Sequence, residues 1–175
     1  MDRPPPDFYQ PRLSWWGHTW RFLAVATVSG VPAEANYFVA DFDGKPAKEV
    51  LFFKSAEASF AVSTLEESGG KFKTTPLKSI TLAQPARQLI VAESGGKNRL
   101  LAIFGTNEPA QLLDFDGTNP PGLVQTLAGA TNKVLNSGIA LPDAIVLFSS
   151  LMPGRAASHY QVHVLKDGKF VPAAY

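Results

Sequence analysis

Two acidic tetrapeptides carry the residue types best suited to chemistry. Asp41-Phe42-Asp43-Gly44 recurs as Asp114-Phe115-Asp116-Gly117. Residues i and i+2 of an extended strand share a face, so Asp41 with Asp43, and Asp114 with Asp116, could each present paired carboxylates. Such pairs can bind calcium or act as acid and base in glycoside hydrolysis. Neither tetrapeptide continues as an EF-hand loop. Gly44-Lys45-Pro46-Ala47 and Gly117-Thr118-Asn119-Pro120 add no further ligand set and no closing Glu. The expectation is a strand running into an Asp-Gly turn, with the Asp bonding the local backbone and the Gly at positive φ. The four aspartates are kept as metal candidates, but no metal, no cofactor and no catalytic residue is assigned.

Other chemistry is thinner still. There are no cysteines, which excludes disulfides, thiolate zinc sites and cysteine nucleophiles. His159 and His163 are four apart, a metal spacing on a helix, but the segment reads as a strand, where four residues span about 13 Å. They are therefore expected as partly exposed strand histidines. No Gly-x-Ser-x-Gly elbow is present, and Ser149-Ser150 only ends an apolar strand. Gly69-Gly70 and Gly95-Gly96 lack the strand–turn–helix setting of a phosphate loop and read as hairpin turns. Lys71, Lys73 and Lys78 read as a solvated cationic edge.

The elements that must position these residues are short strands. Gly and Pro number 14 each, hydrophobic residues make up 45% and charged residues 18%. That composition supports a packed core with many turns. β-Branched or aromatic runs bounded by turn residues place strands at 21–28, 36–42, 49–54, 59–64, 77–83 and 87–93. They continue at 99–104, 111–115, 123–127, 133–136, 144–149, 160–166 and 169–173. Asp167-Gly168 is a favoured pair for a type I′ hairpin turn. Segment 123–136 has a helical alternative, which Gly129 and Thr131-Asn132 weaken.

The order of these elements echoes. Arg21-Phe22-Leu23-Ala24-Val25 returns as Arg99-Leu100-Leu101-Ala102-Ile103, and Gln88-Leu89-Ile90-Val91 as Gln161-Val162-His163-Val164. The fold class expected is all-β, antiparallel and sandwich-like, internally duplicated as units 21–98 and 99–175, closely packed across a short hairpin at 94–98. Arg3, Arg12 and Arg21 before the apolar run 22–28, with Ala33-Glu34-Ala35 after it, imitate a signal peptide. Because the echo of that run lies mid-chain, it reads as a strand.

Residues 1–20 form an extended arm, rich in Pro and holding all three tryptophans. Phe8, Tyr9, Trp15, Trp16 and Trp20 carry enough apolar surface to demand cover, either from the chain's own core or from a partner subunit or membrane interface. A formal charge of +1 without a basic block argues against nucleic acid. No apolar run is long enough for a transmembrane helix, which leaves peripheral membrane contact open. The function expected is a non-enzymatic β module, an accessory subunit that binds other protein subunits through its arm. Absence of cysteine leaves the compartment open, with an assembly outside the cytoplasm or at the cell envelope slightly favoured. The alternatives are a small-molecule or carbohydrate binder using exposed aromatics, and a hydrolase using the Asp pairs.

Overall fold

The computed structural model describes residues 7–13, 20–69, 71–153 and 155–173, with the backbone alone for 7–13 and 20–27. Among these residues there is no helix. The chain is all-β, and its strand ladders are antiparallel throughout the described residues. The helical alternative for 123–136 is replaced by two strands with a loop between them.

β1 (Asp7–Leu13) and β2 (Trp20–Thr27) pair with each other. The arm is thus not wholly irregular, since part of its expected extended path is a hairpin strand. Trp15 and Trp16 lie outside the described residues, and the side chains of Phe8, Tyr9 and Trp20 are likewise undescribed.

Three sheets follow. Sheet one runs β3 (Asn36–Ala40), β4 (Lys48–Phe53), β5 (Glu57–Ser68), β6 (Lys71–Thr74), and β7 (Lys78–Ala86) also pairs with β5. The twelve-residue β5 serves two neighbours on one edge, β7 along its first half and β6 along its second. Sheet two runs β8 (Gln88–Ser94), β9 (Lys97–Ile103), β10 (Ala110–Asp114), β11 (Gly122–Leu127). Sheet three runs β12 (Val134–Leu141), β13 (Ala144–Ser150), β14 (His159–Lys166), β15 (Lys169–Pro172). Tight turns close the hairpins as the sequence implies. Gly95-Gly96 and Asp167-Gly168 each put both residues at positive φ between directly paired strand ends.

Sheet two is the middle layer, and its sequence shows why. In β9, Leu100, Leu101, Ala102 and Ile103 are all fully buried. Successive strand residues face opposite sides, so a continuous apolar run is stable only where both faces are covered. Leu100 and Ala102 join Phe53, Phe60, Ile80 and Leu89 in a core against sheet one. Leu101 and Ile103 join Leu112, Leu135, Ile145 and Leu147 in a core against sheet three. A third cluster, Val28, Val50 and Phe52 with Val31 and Ala35, covers the other face of sheet one.

Two glutamines lock sheet two to sheet three at opposite edges. The Gln88 amide donates to Gly138 O (3.2 Å) and accepts from Gly138 N (2.9 Å). The Gln125 amide does the same with Phe170, accepting from its N at 3.2 Å. First strand is thereby set over first and last over last, as in face-to-face stacks of four-stranded meanders.

The echo reaches the hairpins but not the sheets. Both Asp-Phe-Asp-Gly segments join paired strands, β3 to β4 and β10 to β11. The first hairpin opens sheet one, whereas the second closes sheet two. β9 crosses residue 98 and pairs on both sides, with β8 and β10. Hairpins form from local sequence, whereas sheet boundaries depend on which hairpins pair onward, and that differs between the two halves.

His163, expected as partly exposed, is 2% exposed on the inner face of sheet three. Its Nε2 lies 2.8 Å from Ala128 O and donates to it, while Nδ1 has no partner among the described residues. Burial pushes the imidazole pKa below 6.5, against a smaller raising effect of the Ala128 carbonyl. The unfolded chain therefore takes the proton more readily than the folded one. Stability from this site is complete above pH 6.5 and should fall as pH drops through 6.5 towards the lower folded value. Melting temperatures from about pH 8 to about pH 5 should show that fall. His163→Gln, which keeps a donor for Ala128, should flatten it, and an unchanged slope in the variant would count against the assignment.

Candidate functional site

The two acidic segments meet. An open cleft of about 670 Å3 is lined by both, together with Glu93, Lys97 and Asn98 of the β8–β9 hairpin. The intervening phenylalanines bring them there. Phe42 and Phe115 are 8% and 2% exposed and pack edge to face, with centroids 5.2 Å apart at 68°. Phe115 also meets Phe60 at 5.3 Å and 78°. Each ring is sunk in the core between sheets one and two, which leaves its flanking aspartates at the rim. The Asn98 amide donates to Asp41 O at 2.9 Å and ties the first segment to β9.

Asp41, Asp43 and Asp116 are turn residues, whereas Asp114 is a strand residue opposite Gly122. β3 ends at Ala40, before Asp41, and β10 ends at Asp114. Asp41 Oδ1 accepts from Gly44 N at 2.7 Å, and Asp43 Oδ1 from Lys45 N at 2.9 Å. Gly44 and Gly117 have φ of 74° and 81°, the left-handed turn geometry that glycine tolerates. Asp116 accepts from the Thr118 and Asn119 backbone N–H groups at 2.9 and 2.7 Å and from the Asn119 side chain at 2.7 Å. These bonds hold its carboxyl well below the usual carboxylate range, the Asn119 backbone bond foremost.

Lysines occupy the outer oxygens of the first segment. Lys45 Nζ pairs with Asp43 Oδ2 at 2.6 Å, and Lys48 Nζ pairs with Asp41. Both carboxyls are lowered, chiefly by those side-chain bonds. Across the cleft, Asp114 is half exposed, with Arg99 Nε 3.8 Å away.

One acidic residue escapes sequence reasoning. Glu49 is 2% exposed and accepts from Phe42 N at 2.8 Å through Oε2. Burial raises its pKa, partly offset by the Phe42 bond. A carboxylate opening the run Val50-Leu51-Phe52-Phe53 was the available signal, because such a residue must find a buried partner. Gly117 lies against it: a Cβ there would sit 3.1 Å from Glu49 Cγ. Oxygens of Asp41, Asp43 and Glu49 lie within 4.8 Å of one another, so geometry alone would let them share a cation.

The bonds already made argue against that use. A metal would have to displace Lys45 and Lys48 and reach a covered Glu49. Calcium in millimolar excess should therefore leave the melting temperature unchanged. A saturable rise would reverse the conclusion, because a ligand of the folded state alone must stabilise it. Glu49, whose pKa burial raises, is almost fully covered and is not among the residues that line the cleft. Among the described residues lining the cleft the aromatic rings are Phe42 and Phe115, and both are buried.

Comparison with known proteins finds no matching family model, no matching curated protein and no matching solved structure.

Proposed function

We propose that this chain is a non-enzymatic β module that works by binding, an accessory subunit of a larger assembly. The carrying observation is the outer face of sheet three. The cross-strand register puts Ile139, Val146 and Val162 in one row, and Leu141, Ala144, Val164 and Val171 in the next. Ile139 and Leu141 are 46% and 48% exposed, and Val146, Val162, Val164 and Val171 are half-buried. Leu151 and Met152, just past the end of β13, are also exposed. An antiparallel sheet with one wet side ordinarily alternates apolar and polar residues. β13 does not: Ala144-Ile145-Val146-Leu147-Phe148 is apolar on both faces, as β9 is, yet only its inner face enters a packed cluster of the described residues. Contiguous exposed apolar surface of this kind marks an interaction site.

The aromatic head, with Phe8, Tyr9, Trp15, Trp16 and Trp20, supplies a second contact in this reading, on the strength of its composition. The test is particle mass in a native extract of the source cells. The chain should migrate well above its own 18.8 kDa. Migration at that mass both in the extract and when purified would refute the proposal.

A further inference from the structure

We infer that the groove between the edges of β3 and β8 binds an extended peptide segment as an added antiparallel strand, with a basic residue towards its N-terminal end and an acidic residue six positions later. This goes beyond the binding reading above and uses a different surface.

Among the described residues, β3 stands at an edge of sheet one and β8 at an edge of sheet two. The two edges run side by side in the same direction. Asn98, opposite Glu93 in the β8–β9 ladder, donates to Asp41 O just past the end of β3. Ser55, two residues past the Phe53 that pairs with Asn36, donates to Arg87 O just before β8. Asn36 is therefore on the side of Arg87, and Asp41 on the side of Glu93. Between these ends lies an open groove of about 500 Å3, lined by residues 36–39, Phe53 and residues 87–91. Its base is apolar, because Phe38, Phe53, Leu89 and Val91 all belong to the core between sheets one and two. Where it ends the acidic cleft begins, with a lining that resumes at Asp41 and Glu93.

An edge strand offers backbone N–H and C=O groups to a further strand, and such main-chain bonds give affinity while side-chain pockets give specificity. Charges, proline and bulges are the devices that blunt an edge. β3, Asn-Tyr-Phe-Val-Ala, has none of them. At the edge of sheet three, by contrast, β12 carries a bulge and the Gln88 amide plugs both backbone groups of Gly138.

Charge sets the direction of the guest. Among the described residues the ion pairs are Lys45–Asp43, Lys48–Asp41 and Arg99–Asp114, so Arg87 at one end and Glu93 at the other are in none. Lys54, beside Phe53, adds to the positive end, and Glu57, opposite Ala86, makes no ion pair with Arg87. At the other end Glu93 and Asp116 remain against Lys97 once the paired aspartates are set aside, which leaves that end negative. An antiparallel partner of β3 runs from the Asp41 end towards Asn36. Its N-terminal end meets Glu93 and its C-terminal end meets Arg87, so a basic-to-acidic order is complementary and the reverse order is repelled at both ends. Six residues separate Arg87 from Glu93, about 20 Å of strand. The guest's charges must therefore stand six apart, on one face, with apolar residues between them on that face.

The test is fluorescence anisotropy with the full purified chain and two labelled peptides. One is Lys-Thr-Val-Thr-Val-Thr-Glu with both termini blocked, and the other is its charge-reversed twin, Glu-Thr-Val-Thr-Val-Thr-Lys. The first should bind saturably, with a Kd of about 10–100 μM, and the twin about tenfold more weakly. Exchanging the ends of the groove, Arg87→Glu together with Glu93→Lys, should invert that preference while the melting curve stays cooperative. Both residues are exposed. Arg87→Gln alone should narrow the preference to about threefold and decides the matter if the double variant does not fold. No binding of either peptide to roughly 1 mM overturns the inference. So does equal affinity for the two, or a preference that the substitutions leave unchanged. A chain that dimerises with concentration and takes up neither peptide gives the edge to a second copy and overturns it as well. None of these outcomes touches the binding reading of sheet three, which is decided by particle mass in the native extract.

Discussion

Replacing Phe115 by alanine should cost about 3–5 kcal/mol of folding stability. The ring is 2% exposed and makes edge contacts to both Phe42 and Phe60. Its removal loses the transfer free energy of the ring and leaves a cavity that the surrounding elements cannot close: the β10–β11 turn, the β3–β4 turn and β5. Each aromatic pair adds about 0.5–1.5 kcal/mol beyond area. For a chain of this length about 2–4 °C of melting temperature goes with each kcal/mol, so the midpoint should drop by about 6–20 °C. Asp114→Asn, in the same tetrapeptide but half exposed, should stay within about 0.5 kcal/mol. Urea titration of both variants separates the two roles. A loss under about 1 kcal/mol for Phe115→Ala would show that the phenylalanine between the aspartates does not anchor the turn.

That contrast explains what the tetrapeptides disclose as sequence. Asp followed by Gly marks the turn, and Gly44 and Gly117 adopt the positive φ this requires. The spacing says nothing of their convergence, which depends on two rings entering one core from different sheets. Glu49 is hidden for a related reason. Its partner is a backbone N–H seven residues earlier, a contact fixed by the β3–β4 hairpin and not by any motif.

Strands are legible where one physical signal dominates. The run 99–104 is covered on both faces and is apolar almost throughout, matching β9. They are obscured where sequence and environment disagree. Lys71, Lys73 and Lys78 read as a solvated edge and are exposed, but no strand is expected at 71–74, where β6 pairs with the charged far half of β5 at the edge of sheet one. The strand expected at 133–136 is too short, because β12 continues through Ser137 and Gly138 to Leu141. Both residues are poor strand formers, and the reason for a glycine at 138 exists only in three dimensions.

Gly138→Val should cost about 3 kcal/mol or more, from that same geometry. Even a Cβ there would lie 2.9 Å from Ile103 Cδ1, 3.1 Å from Leu147 Cδ2 and 3.2 Å from Val146 O. Ile103 and Leu147 are fully buried between sheets two and three, so neither can swing aside, and the carbonyl is held in the β12–β13 ladder. Overpacking of a filled core costs about 1–3 kcal/mol by itself. Here it also pushes β12 away from Gln88, whose amide satisfies both backbone groups of Gly138. Breaking that pair strands a buried donor and acceptor, each worth about 1–3 kcal/mol. Gln88→Ala isolates this second effect, because it leaves the packing alone. It should lose about 1–3 kcal/mol, less than Gly138→Val, and the two should be non-additive in a double-mutant cycle because they act on one contact. Chemical denaturation of the two singles and the double measures this. Strict additivity, or a Gly138→Val variant as stable as the parent, would mean that the close approach of β12 to sheet two does not hold the stack together.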